Sequence, residues 1–214
     1  MGSWRLGLVV LAVLAGSGCG SDAAGPAPST GGDDGRVTAD VSDPTGDVFG
    51  NRGPQWDVTD LSITRDTGGI TVVLRFASTP IPLTSGDPNA MIGFVDFDTD
   101  LDSTTGATPI ADEFRRDSAS TGTGSDFQLD LAEIDADSTV PVFDASGVVM
   151  GRVRPIYDGL TVTTRIPHAL LRDDDGYLNA AAIVGTQASP TDIIPNRGHL
   201  ELRAASGAAR NHAG

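Results

Sequence analysis

The feature that most restricts the fold of this chain is a recurring period of two. Ile70, Val72, Leu74 and Phe76 alternate with Thr71, Val73 and Arg75, and Phe127, Leu129 and Leu131 alternate with Gln128 and Asp130. Leu160, Val162, Thr164 and Ile166 alternate with Thr161, Thr163 and Arg165; Leu200 and Leu202 alternate with His199, Glu201 and Arg203. Successive side chains of an extended backbone point to opposite faces, so each run suits a strand with one face in a core and one in water. Ile92 to Phe97 is apolar on both faces until Asp96, which predicts a central strand. Turn signals separate the runs: Asp43-Pro44-Thr45-Gly46, Thr67-Gly68-Gly69, Ser85-Gly86-Asp87-Pro88, Ser146-Gly147 and Asp158-Gly159. Amphipathic helical stretches are missing between them, and Pro167 to Leu171 has room for only one helical turn. The 27 glycines and 13 prolines among 214 residues agree with a turn-rich chain. The expectation is an all-β domain over residues 37–203. It is a two-sheet antiparallel β-sandwich, jelly-roll or immunoglobulin-like, with few or no helices outside the N-terminal segment.

Charge removes whole classes of partner. All 14 basic residues are arginine, against 29 acids of which 26 are aspartate, and the formal net charge is −15. Such a surface repels nucleic-acid phosphates and an anionic bilayer alike. No glycine-rich loop follows a strand and opens a helix, so nucleotide binding has no support either.

Attachment to a membrane therefore needs another device, and the N-terminus offers one. Leu6 to Ala15 is an apolar run behind Arg5, followed by Gly16, Ser17, Gly18 and Cys19. This is the plan of a secretory signal over residues 1–18, and the run is shorter than the roughly 20 residues of a permanent span. Cys19 is the only cysteine, which excludes an intrachain disulfide. Its position resembles the lipobox of bacterial lipoproteins. That resemblance implies lipidation of Cys19, anchorage to a membrane through the lipid, and an extracytoplasmic place in a bacterial cell envelope. The alternative is free secretion, with cleavage among Gly18 to Ala24. Residues 19–36 are rich in Gly, Ala, Pro, Ser, Thr and Asp and suit a flexible tether; residues 204–214 suit a frayed tail.

The most informative stretch is Asp96 to Phe114, DFDTDLDSTTGATPIADEF. Asp96, Asp98, Asp100 and Asp102 alternate, and carboxylates so close repel one another unless a cation intervenes. Alternating acids match the first half of known calcium loops, where alternate positions supply oxygens. From Asp98 the pattern gives Asp98, Asp100, Asp102 and the carbonyl of Thr104 as ligands. Asp112 or Glu113, at the start of a further expected strand, would close the shell. Ser103 and Pro109 stand where an EF-hand has glycine and glutamate, so the loop is not an EF-hand. The candidate metal residues are thus Asp96, Asp98, Asp100, Asp102, Thr104, Asp112 and Glu113, with structural Ca2+ as the cofactor. The bland alternative is a solvated acidic turn on an acidic protein.

A strand ending in D-x-D, then Thr105-Gly106, then Asp112-Glu113-Phe114, resembles extracellular bacterial β-sandwich domains related to family-9 carbohydrate-binding modules and DOMON domains. Asp43-Pro44-Thr45-Gly46-Asp47 is similar to their opening turn, and Thr191 to Gly198 to their closing segment. The resemblance implies a calcium-bearing sandwich and, since such folds host many functions, no particular activity.

Other chemistry has thinner support. Sugar binding needs an exposed aromatic platform, for which Trp56 is the candidate; its alternative role is a hydrophobic plug. Haem held by Met91, Met150 or His168 has no spacing in its favour. His168, His199 and His212 form no H-E-x-x-H motif, and no G-x-S-x-G elbow occurs. The leading expectation is a non-enzymatic, calcium-stabilised lipoprotein module binding a glycan or an envelope protein. The alternatives are a secreted hydrolase, using the acidic cluster or a His/Ser/Asp site assembled in space, and a carbohydrate-binding module stacking sugar on Trp56.

Overall fold

The structure, a computed structural model, describes residues 35–50, 54–115, 120–172 and 176–203. The Cys19 site, the signal segment and the tail lie outside the described residues. The fold is an all-β sandwich of two antiparallel sheets. One sheet holds β1 (Val37–Ser42), β2 (Val58–Asp66), β3 (Gly69–Phe76), β8 (Pro155–Asp158) and β9 (Thr161–Pro167), in the order β1-β2-β3-β9-β8. The other holds β4 (Ile92–Asp98), β5 (Phe127–Asp130), β6 (Val140–Asp144), β7 (Val149–Val153), β10 (Leu178–Thr186) and β11 (Ser189–Ile194), in the order β11-β10-β4-β5-β6-β7. A short β12 (Leu200–Leu202) pairs with the start of β10, on Leu178 to Ala180. The chain changes sheets between β7 and β8, where only Arg154 separates the strands.

The period of two becomes the core. Leu61 and Ile63 of β2, Ile70, Val72, Leu74 and Phe76 of β3, and Val162 and Ile166 of β9 are buried toward the second sheet. They meet Val95 and Phe97 of β4, Leu129 of β5 and Val142 of β6. Each large apolar side chain buried this way stabilises the fold by about 1.5–3 kcal/mol relative to exposure. The tight β2–β3 hairpin depends on Gly69, whose φ is +155° and whose added Cβ would lie 2.2 Å from the Ile166 carbonyl oxygen.

β4 is buried on both faces for a reason that fixes the site. Val95 and Phe97 face the core, so Phe94, Asp96 and Asp98 face the other way. That outer face is covered by a short helix, α1 (Ile110–Phe114), with Ala111 fully buried against Ile183 and Ile193. The expected strand beginning at Asp112 and Glu113 is this helix instead. Pro109 precedes it with a fixed φ of −57°, Asp112 and Glu113 occupy its first turn where the helix dipole favours acids, and the apolar face of Ile110 and Ala111 has a sheet to cover. The expected single helical turn after Pro167 is a 3-10 turn at His168–Leu170.

Candidate metal centre

β4 ends at Asp98, and the chain then makes a long excursion before returning as β5. The return is antiparallel and in register: Phe97 pairs with Phe127, and the Asp126 amide donates to the Phe97 carbonyl at 2.8 Å. Asp126 thereby comes to lie beside Asp98. On the other side of β4, Asn179 of β10 is the register partner of Asp98. Asp98, Asp100 and Asp126 each offer a carboxylate oxygen within 4.8 Å of the others.

The state of the individual oxygens narrows the chemistry. Asp98 is 1% exposed, and its Oδ1 is buried with no hydrogen-bond partner among the described residues. Its other oxygen accepts from Asn179 Nδ2 at 3.3 Å, while Asn179 Oδ1 is likewise buried and unpartnered. Burying acceptors without donors costs about 1–3 kcal/mol each. A carboxylate and an amide oxygen placed together in that condition fit a hard cation, which takes only oxygens. Burial pushes the Asp98 carboxyl above its usual range against hydrogen bonds from Asn179 and the Leu101 backbone, and the charges of Asp126 and Asp100 add to the rise. Asp126 Oδ2 accepts from the Thr99 amide at 2.8 Å and the Thr99 hydroxyl at 3.1 Å, which pins the start of the loop. The cluster borders a cleft of about 470 Å3 whose lining includes Asp100, Asp126, Asp144 and Arg172. Arg172 is engaged with Asp144 at 3.0 Å across this cleft.

The other residues expected as ligands are placed differently. Asp96 is saturated: it accepts from Ser125 Oγ at 2.8 Å, Gln128 Nε2 at 2.9 Å and the Ile110 amide at 2.9 Å. It ties the helix start to β5, and burial raises its pKa against these hydrogen bonds. Asp102 accepts from the Thr104 amide at 3.0 Å and hydroxyl at 2.6 Å, bonds that lower its pKa. Asp112 accepts from the Thr121 amide at 2.7 Å and from Ser120 Oγ at 2.8 Å. Thr104 and Glu113 are exposed. The structure therefore brings together Asp98 and Asp100 of the expected set. It adds Asp126 and Asn179, which no spacing in the sequence connects to them.

The remaining candidates are accounted for in turn. Trp56 is 4% exposed, and its indole Nε1 donates to the Asn89 carbonyl at 3.2 Å, so the ring plugs the core and presents no stacking face. Met91 is fully buried in the core, and Met150 packs against its edge. His168 Nε2 lies 2.7 Å from the Asp66 carbonyl, and His199 Nδ1 lies 2.7 Å from that of Thr121; both rings brace loops. A second concave feature, an apolar cavity of about 240 Å3, lies beside α1 between Phe94, Phe114, Ile183 and the turn around Gln187. Among the described residues, no helix is long and apolar enough to cross a membrane. Compared with known proteins, the chain matches no family model and no curated protein sequence.

Proposed function

We propose that this protein is a tethered extracytoplasmic binding module. Its β-sandwich is stabilised by calcium held between Asp98, Asp100, Asp126 and the amide oxygen of Asn179. The observation that carries this reading is that Asp98, buried and with its Oδ1 unpartnered among the described residues, offers a carboxylate oxygen within 4.8 Å of those of Asp100 and Asp126. Calcium takes 6–8 oxygens, so loop carbonyls and water complete the shell from the cleft side. The ion would cross-link the two ends of the excursion between β4 and β5, and its role would be structural. The alternating acids also support a likeness to the family-9 carbohydrate-binding and DOMON-like sandwiches, and the partner class proposed is a glycan or an envelope protein. The lone Cys19 behind an apolar run supports anchorage by lipid.

Thermal melting of the full chain, with calcium and then with chelator, tests the metal. Calcium at a hundred times its dissociation constant stabilises by about 2.7 kcal/mol, or roughly 5–10 °C in a domain of this size. Asp100→Asn should abolish the part of the shift that belongs to this site. A shift left whole in Asp100→Asn would sink the assignment. For the anchor, Cys19→Ser should move the protein from the membrane fraction to the soluble one, and an unchanged distribution would count against lipidation.

A further inference from the structure

A second group of carboxylates lies away from this centre and is assembled from distant parts of the chain. Asp43 follows β1, Asp47 lies in the loop after it, and Asp192 belongs to β11. Each offers an oxygen within 4.8 Å of the others. Asp57, which precedes β2, is close enough for its charge to act on Asp43. Register places the group apart from the first: Asp98 pairs with Asn179 of β10, whereas Asp192 pairs with Val184, five residues along the same strand. At about 3.3 Å per residue that is roughly 17 Å.

The loop between β1 and β2 is strapped onto β11 on both sides of the group. The Phe49 amide donates to the Thr191 carbonyl at 2.8 Å, the Thr191 hydroxyl to the Trp56 carbonyl at 2.8 Å, and the Val58 amide to Asp192 Oδ2 at 2.7 Å. Within this frame two oxygens are left over. Asp43 is 8% exposed and Asp57 is 9% exposed, and Asp43 Oδ2 and Asp57 Oδ1 are buried with no hydrogen-bond partner among the described residues. Among the described residues a nearby cation is Arg115, whose guanidinium donates to the carbonyls of Pro195 and Gly198 and lies 3.4 Å from Asp112. Three acidic side chains thus converge with Asp57 close by, and Arg115 offsets only part of their charge on Asp43. All candidate ligands are oxygens, with no histidine or cysteine among them, which suits calcium and not zinc.

We propose that Asp43, Asp47 and Asp192, backed by Asp57, form a second calcium site that clamps the β1–β2 loop to β11 at the edge of the sandwich. Burial raises the Asp43 and Asp192 carboxyls to about 7 and the neighbouring carboxylates add to the rise, with Arg115 offsetting part of it at Asp43.

Calorimetric titration of the chelator-stripped full chain with calcium tests it. The wild-type chain should bind two equivalents. Asp47→Asn should lose one and Asp100→Asn the other, with none left in the double variant. Asp47 is exposed and an amide at 47 keeps an oxygen to accept from Asn196 Nδ2, so the isosteric replacement should leave the fold intact. A wild-type chain that binds a single equivalent lost in Asp100→Asn would overturn the second site. So would Asp47→Asn binding calcium in the same number and with the same affinity as the wild type. A second measurement separates a metal ligand from a merely structural acid. In chelator, Asp43→Asn should melt at or above the wild type, because a repelling charge is gone; in calcium it should melt below it. An equal loss in both conditions would overturn the proposal.

Discussion

The two carboxylate clusters share one strand, β10, as a reference rail, and they are built in opposite ways. Around Asp98, two of three carboxylates lie on one stretch of chain, and the third arrives through a single antiparallel pairing. Around Asp192, the acids come from the beginning and the end of the domain, and the carboxylate itself completes the backbone hydrogen bonding of two strands. The difference teaches where each cluster spends its energy. The first draws two of its acids, Asp100 and Asp126, from outside the strands. The second cannot change without touching the seam at which β2 meets β11.

The largest effect expected follows from that seam. Asp192 accepts from the Val58 amide at 2.7 Å and from the Ile193 amide at 2.9 Å, and it is 1% exposed. Asp192→Ala strands both donors, at about 1–3 kcal/mol each. In chelator the variant should lose about 2–5 kcal/mol, readable in a urea denaturation curve. Asp100→Ala under the same conditions should lose less than about 1 kcal/mol, because Asp100 is exposed and, among the described residues, its carboxylate accepts only from its own turn. Equal losses would erase the distinction between a seam and a loop.

An intermediate effect comes from pH. The Asp43 and Asp192 carboxyls are pushed up to about 7, chiefly by burial, from an ordinary value of 3.8. Between those values the folded chain holds protons that the unfolded chain releases. Their contribution to stability is full below about pH 4 and is lost as pH rises through about 7. The chelated protein should therefore melt lower at pH 8 than at pH 5.5 (about the two sides of that window). Asp98 shifts in the same direction and adds to the trend. On the proposed reading calcium would replace the protons at both clusters, so the decline should vanish in its presence. A chelated protein whose melting temperature climbs across this range would show that the acids are not buried as described.

How much of this was legible in the sequence depended on whether period two continued to mean what it says. It identified β3, β5, β9 and β12, because each has one face in the core and one partly or fully exposed. It missed β10, whose nine residues are all buried and so show no alternation. It also read the aspartates beyond the point where strand geometry holds. Asp96 and Asp98 share a face because β4 is extended. The strand stops at Asp98, and Leu101, with φ at 60°, turns the chain, so Asp100 and Asp102 are placed by the loop and not by the pleat. Asp126 and Asn179 were invisible because pairing register, not sequence spacing, sets them beside Asp98. The second cluster was visible only as two motifs of a resemblance, Asp43 to Asp47 and Thr191 to Gly198. Their meeting requires the two sheet edges to close on each other.

The smallest effect expected is the sharpest on this point, and it concerns Asp102. By alternation Asp102 belongs with Asp98 and Asp100; by geometry its Oδ1 closes a turn on the Thr104 amide and hydroxyl, and the ion would sit with Asp98, Asp100 and Asp126. An isosteric amide at 102 keeps an oxygen for that turn. Asp102→Asn should therefore change calcium affinity at most about twofold, well under the 1.4 kcal/mol that a tenfold change represents. Asp100→Asn removes a charged ligand and should weaken binding by about 10- to 100-fold or more. Calcium titrations of the two variants side by side decide between the two placements. If Asp102→Asn weakens binding as much as Asp100→Asn does, the loop closes on the ion in the order the aspartates are written. The turn at Thr104 would then be a feature of the calcium-free chain alone.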